Sequence, residues 1–334
     1  SIGTLPEELL GEIFTHCAAI YPNAPLLLGE VSRIFRHVVH TTPSAWSNLE
    51  LDSTDTDERG IIKTTSWLAQ SKACRIAVKI IIHMPAAGNG KTEPNGPAVP
   101  AALEILRHHT GRIDALCLRT DTQAQACAAL SVVYGEGTAD TGLSSLRICV
   151  ASMAVPTTLT FPPIPSIIEL ETTNVALSAL PALGATQLEI LRIVQPLISP
   201  PVAAEDVLEL ARFAPRLRSL YVETRISDPV AKPETRLLPQ LQDLQLRVNN
   251  VVPFLDQLIV PSLRSMHLND LDGGRASASS ETGAALHRLL VRMELCEGYV
   301  HHLRVFKLVG VAVDPADPSW ERCFRKNLVL EVFS

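Results

Sequence analysis

The sequence predicts an α/β chain, with a short helical module over residues 1–50 and stacked repeat units with parallel strands and outer helices over residues 51–334. Three observations predict it. Apolar residues of the first forty positions fall at helical spacing. A Leu-x-x-Leu-x-Leu type pattern then recurs, mostly every 21 to 30 residues and once after 40. The apolar share is 46%, yet aromatics are only 4%. The interior is therefore Leu, Ile, Val and Ala, which suits repeated layers of similar size.

The helical module is read first. Thr4 and Glu7 stand at the spacing of a capping box, with Pro6 between them. Leu5, Leu9, Leu10, Ile13, Phe14 and Cys17 then recur every three or four residues, as one helical face requires. Pro22 and Pro25 end that helix. A second helical stretch runs through Leu26, Val31, Ile34, Phe35 and Val39, until Thr42-Pro43 breaks it and leads to Trp46. Helices this short cannot bury so many large side chains among themselves. The surplus calls for a further surface, in the same chain or in another protein.

In the repeat region the triads are Ile113/Leu116/Leu118, Leu143/Leu146/Ile148, Leu188/Leu191/Ile193, Leu217/Leu220/Val222, Leu241/Leu244/Leu246, Leu263/Met266/Leu268 and Leu303/Phe306/Leu308. Ile167/Leu170/Thr172 is a weaker member, and Trp46/Leu49/Leu51 is a candidate first copy. The second and third positions lie two apart, so both point to one side of a short strand. Stacked units of that kind give a parallel sheet over an apolar layer. Asn249 sits where its side chain can bond backbone at the turn leaving a strand. Helices are expected at 58–71, 99–108, 123–133, 203–213 and 282–295. Residues alternating with the apolar ones face the open side. Arg192, Tyr221, Glu223, Gln245, Arg247, His267, Asn269 and Lys307 are therefore the candidate contacts to a client protein.

Three segments invite other readings. Ala86 to Thr92 resembles the end of a phosphate-binding loop. It has Pro85 in place of the first Gly, and Pro94, Pro97 and Pro100 forbid the helix that should come next. A surface loop from Met84 to Pro100 is expected instead. Asp52 to Gly60 fails as a calcium loop, because Arg59 and Ser66 occupy ligand positions. The pairs His108-His109 and His301-His302 have no ligand-spaced partners. No metal, cofactor or catalytic residue is expected. The net charge of −6 and the lack of a basic block argue against nucleic acid. No run approaches 18 apolar residues, so no membrane span is expected. No signal pattern opens the chain, although it begins at Ser1. Seven cysteines without a CxxC pair read as buried thiols of a reducing compartment.

The ordered blocks Leu5 to Phe14, Pro25 to Val39 and Thr42 to Leu51 resemble an F-box of the form common in fungal proteins. The resemblance covers the first 50 residues and departs from the usual pattern at Phe35, where Trp is commoner. The rest of the chain resembles irregular leucine-rich repeats in a solenoid. The resemblance implies a non-enzymatic substrate-receptor subunit. Its F-box would bind a Skp-type adaptor, and through it a cullin–RING ubiquitin ligase, in cytoplasm or nucleus. By matching position the adaptor-facing residues would be Leu5, Pro6, Leu9, Leu10, Ile13, Val31, Phe35 and Trp46. The alternative is a leucine-rich-repeat scaffold without a ligase role, in which the first helices cap the solenoid.

Overall fold

A computed structural model of the chain describes residues 5–54, 57–83, 101–135, 141–152, 160–227, 234–271, 276–295, 303–311 and 329–333. The expected loop at Met84 to Pro100, with its phosphate-loop resemblance, lies outside the described residues, as do Thr4 and His301-His302. The chain is α/β. It divides by its contacts into two compact units, Ser1–Ser166 and Ile167–Ser334.

The first unit opens with α1 (Glu7–Ile20), α2 (Ala24–Val31) and α3 (Arg33–Thr41), then a 3-10 turn at Pro43–Trp46. The start of α1 differs from the expected capping box. Pro6 occupies the cap position with an extended ψ of 147°, and no side chain caps the helix. Glu7 and Glu8 in the first turn complement the helix dipole instead. The single helix expected over the second stretch is two. Ser32 is extended at φ −159° and ψ 167°, and its Oγ accepts from the Phe35 amide at 3.1 Å, so it caps α3.

Four parallel strands come next, in the order β1 (Asn48–Asp52), β2 (Ile76–Ile82), β3 (Ile113–Thr120) and β4 (Ser145–Val150). Between them run α4 (Asp57–Gln70), α5 (Ala102–Arg107) and α6 (Gln123–Tyr134). Asp57 and Glu58 lie in the first turn of α4, where carboxylates complement the helix dipole. Thr122 and Gln125 close a full capping box on α6. The strand β2 supplies a layer that the triad pattern does not include.

In the second unit the parallel order is β5 (Glu169–Thr173), β6 (Ile190–Val194), β7 (Ser219–Thr224), β9 (Asp243–Val248), β11 (Ser265–Asp270), β12 (Val305–Val309) and β13 (Val329–Phe333). A small parallel pair, β8 (Arg236–Leu237) and β10 (Leu258–Ile259), lies apart from it. The connections hold a 3-10 segment at Leu177–Leu183, α7 (Ala204–Arg212), α8 (Val252–Gln257) and α9 (Ala276–Leu295). The weak triad at Ile167 forms a strand as regular as its neighbours.

Register explains the interior. Leu170, Leu191, Leu220, Leu244, Met266 and Phe306 stand in one file across adjacent strands. Each is at most 2% exposed. The next inward file is Thr172, Ile193, Val222, Leu246, Leu268 and Leu308. Full burial of such a side chain contributes roughly 1.5–3 kcal/mol, so every strand adds a similar increment. The Thr172 hydroxyl breaks the apolar file. Among the described residues its Oγ1 has no hydrogen-bond partner.

Turns at the strand exits are tied by amides. The Ile226 N–H donates to Asn249 Oδ1 at 2.6 Å, and Asn249 Nδ2 donates to the Ile226 carbonyl at 3.3 Å. This is the backbone role expected for Asn249. Gln195 acts similarly, and Asn174 Oδ1 accepts from the Ser199 hydroxyl at 3.2 Å, although no spacing in the sequence marks either residue. Gln195 Nε2 donates to the Val175 carbonyl at 2.7 Å, and Asn174 adopts a left-handed φ of 58° that Asn tolerates.

Candidate partner-binding surfaces

The helical module has two apolar faces, and only one is used internally. On α1, Leu10, Phe14 and Ala18 recur every four residues and are buried. Phe14 meets Phe35 edge-on, with centroids 5.0 Å apart. Gly11 sits where α1 passes Thr42; a Cβ there would lie 2.9 Å from Thr42 Oγ1, so the close approach depends on Gly. Trp46 anchors the module's other end. Its Nε1 donates to the Val39 carbonyl at 2.9 Å, and its ring meets Trp67 of α4 at 5.0 Å and 78°. The Trp67 Nε1 in turn donates to the Asn48 carbonyl at the start of β1. The predicted boundary at residue 50 therefore falls inside a packed region of the first unit.

Among the expected adaptor contacts, Leu5, Pro6, Leu9, Ile13 and Val31 are exposed. Leu10, Phe35 and Trp46 are not: they are 0%, 8% and 4% exposed. They hold the helices together rather than face outward, because the Leu10–Phe14 row and the Phe35–Val38–Val39 row turn toward each other. Spacing alone could not distinguish Leu9 from Leu10, since both continue an apolar row. The structure adds Ile20, Tyr21, Leu26, Leu27 and Ile34 to the exposed set. Nine large apolar side chains between Leu5 and Ile34 thus meet solvent. Glu7, Glu8 and Glu12 line a cleft beside α1, with His16 and Ser44.

The eight expected client contacts lie together on one sheet face in the second unit. Arg192, Tyr221, Gln245, His267 and Lys307 are register partners along one file. Glu223, Arg247 and Asn269 occupy the next file on the same side. The alternation of each strand explains this, since the buried files take the intervening positions. Within the face, the Tyr221 hydroxyl donates to Glu223 Oε2 at 2.5 Å, and Arg247 pairs with Glu223 Oε1 at 2.9 Å. Burial pushes the Tyr221 hydroxyl above its ordinary pKa, and the bond to Glu223 pushes it further.

In the first unit the equivalent face carries the Lys79–Glu50 pair at 2.8 Å, with Cys117 on β3 and Cys149 on β4. Burial raises the Cys117 thiol above its usual range, and the neighbouring Cys149 adds to that. Such a thiol is a poor nucleophile at neutral pH. At the strand exits His83 lies 4.0 Å from both Asp52 and Asp121. Burial opposes ionisation of Asp52, but hydrogen bonds from the Thr54 backbone and side chain outweigh it, and its carboxyl sits below the ordinary value. Among the described residues no group of His, Cys, Asp or Glu is placed to hold a metal ion. Among them, too, no helix is long and apolar enough to cross a membrane. Neither the family models nor the curated proteins searched contain a match to this chain.

Proposed function

We propose that the chain is a substrate-recognition subunit of a Skp–cullin–F-box type ubiquitin ligase. Its first helices bind the adaptor, and the outward sheet face of the second unit, read as leucine-rich-repeat-like, binds a client. The observation that carries this reading is the exposure of Leu9, Ile13, Leu26, Leu27, Val31 and Ile34 on three helices that already have a packed core. Isolated exposed apolar residues are ordinary, but a helical module this rich in them marks an interaction surface. The mechanism is proximity. Holding a client beside an activated ubiquitin raises its effective concentration, with no chemistry done by this chain.

The test is a pull-down with a purified Skp-type adaptor. Wild-type protein is captured, and a Leu9→Asp, Ile13→Asp double variant is lost while keeping its thermal midpoint. Equal capture of the two proteins sinks the reading. The second reading, a repeat scaffold whose first helices act as a cap, is favoured by the contact of Trp46 with Trp67. It predicts that deletion of residues 1–45 lowers the melting temperature of the first unit and that no adaptor is captured.

A further inference from the structure

The outward face of the first unit carries two thiols on adjacent strands. Cys117 on β3 stands opposite Arg147 of β4, and Cys149 on β4 stands opposite Arg119 of β3. The two cysteines are thus diagonal neighbours, two residues apart in register. They lie on the side away from the buried Leu116, Leu118, Leu146 and Ile148. Both are free and half-buried. Burial raises the Cys117 thiol most, and the nearby charge of Cys149 raises it further, while Arg147, Arg119 and Lys79 pull the other way. Lys79 is at the same time paired with Glu50 at 2.8 Å.

Spacing decides what the pair can do. Strands about 4.8 Å apart, rising about 3.3 Å per residue, put diagonal Cα atoms about 8 Å apart. A disulfide needs about 7 Å or less, so it would require the backbone to move. A metal ion held in line between two thiolates spans more. Two metal–sulfur bonds of about 2.3 Å hold the sulfurs about 4.6 Å apart, and both Cβ–Sγ bonds leaning along the diagonal reach that separation. Among the metals that thiolates select, zinc takes four ligands, whereas copper(I) accepts two in line. Among the described residues no third His, Cys, Asp or Glu joins the pair.

We propose that Cys117 and Cys149 form a two-coordinate copper(I) site on the outward face of the first unit. Binding replaces both thiol protons. One copper(I) ion and two S–H groups give a linear S–Cu–S unit with a single negative charge, and both protons pass to solvent. Arg119, exposed and beside Cys149 in register, offsets part of that charge. The site needs neither adaptor nor client, so it stands independently of the ligase reading.

The experiment is a competition between the full chain, reduced and free of oxygen, and bicinchoninate for copper(I). Wild type withdraws copper(I) from the chelator, and more strongly as pH rises, because protons leave on binding. Cys117→Ser and Cys149→Ser each lower the affinity by about a hundredfold or more, since loss of an outer partner alone costs up to about that much. Their thermal midpoints stay unchanged, and Cys117→Ala behaves as Cys117→Ser does. Cys17→Ser and Cys74→Ser, at the other half-buried free thiols, keep the wild-type affinity. Four results each overturn the proposal. They are no withdrawal of copper(I) by wild type, wild-type affinity in any folded Cys117 or Cys149 variant, an equal loss on Cys17→Ser or Cys74→Ser, and a Cys117–Cys149 disulfide formed in the native protein by diamide.

Discussion

The first three helices and the outward face of β6 to β12 solve the same problem in opposite ways. Both leave side chains in water after a core has formed. The helices leave Leu9, Ile13, Leu27 and Val31, while the sheet face leaves Arg192, Gln245, His267 and Asn269. The difference arises from how each region makes its core. In the sheet, period-two alternation sorts every strand into a buried and a solvated side, and register carries that sorting unchanged to the next strand. In the helices, apolar residues occupy two faces, and α1 packs through Leu10, Gly11, Phe14 and Ala18. An apolar surface buries area on association and suits a lasting contact. A polar one distinguishes partners by charge and suits exchange.

The largest expected effect tests whether the helices have a core of their own. Trp46→Ala removes a ring that is 4% exposed, together with its bond to Val39 and its contact with Trp67. Stability should fall by about 3–5 kcal/mol, read by chemical denaturation. The Leu9→Asp, Ile13→Asp pair, on the other face of the same module, should stay within about 1 kcal/mol of wild type. A cost for the pair as large as that of Trp46→Ala would erase the distinction between the two helical faces.

A smaller effect sharpens the account of the sheet. Asn249→Ala removes two side-chain bonds to Ile226 and leaves that backbone pair without them. A loss of about 2 kcal/mol is expected, with local hydrogen exchange rising at the Ile226 amide. Unchanged exchange there would show that the turn does not depend on the amide. The smallest effect has the opposite sign. Thr172→Val replaces an unpartnered buried hydroxyl with a methyl group of similar shape, so stability should rise by about 1 kcal/mol. A fall would mean that the hydroxyl has a partner, such as a bound water.

Much of the fold was legible in the sequence, for physical reasons. Strands such as Leu220–Val222 and Leu244–Leu246 could be read because inward positions are Leu or Val and outward ones polar. The strand at Ile76–Ile82 escaped the repeat because its outward positions include Ala77 and Ile81, which hide the alternation. The outward face in the second unit came directly from alternation, so its eight residues could be named from the sequence. The helical surface could not be divided that way. Leu9 and Leu10 are chemically identical, and only the packing of Phe14 on Phe35 decides which turns inward. The break at Ser32 was hidden because serine is tolerated within a helix, and its capping role depends on an extended backbone.

Strict register has one more consequence. In the second unit the connections between successive strands differ widely in length and content, from the 3-10 segment at Leu177–Leu183 to the helix Ala276–Leu295, yet the paired positions do not slip. An extra residue in a connection leaves both outward files where they stand. An extra residue inside a strand exchanges buried and solvated positions beyond it. Variation among descendants of such a chain is therefore partitioned. An insertion between strands would leave the outward positions unchanged, while an outward substitution would alter one position against an undisturbed interior.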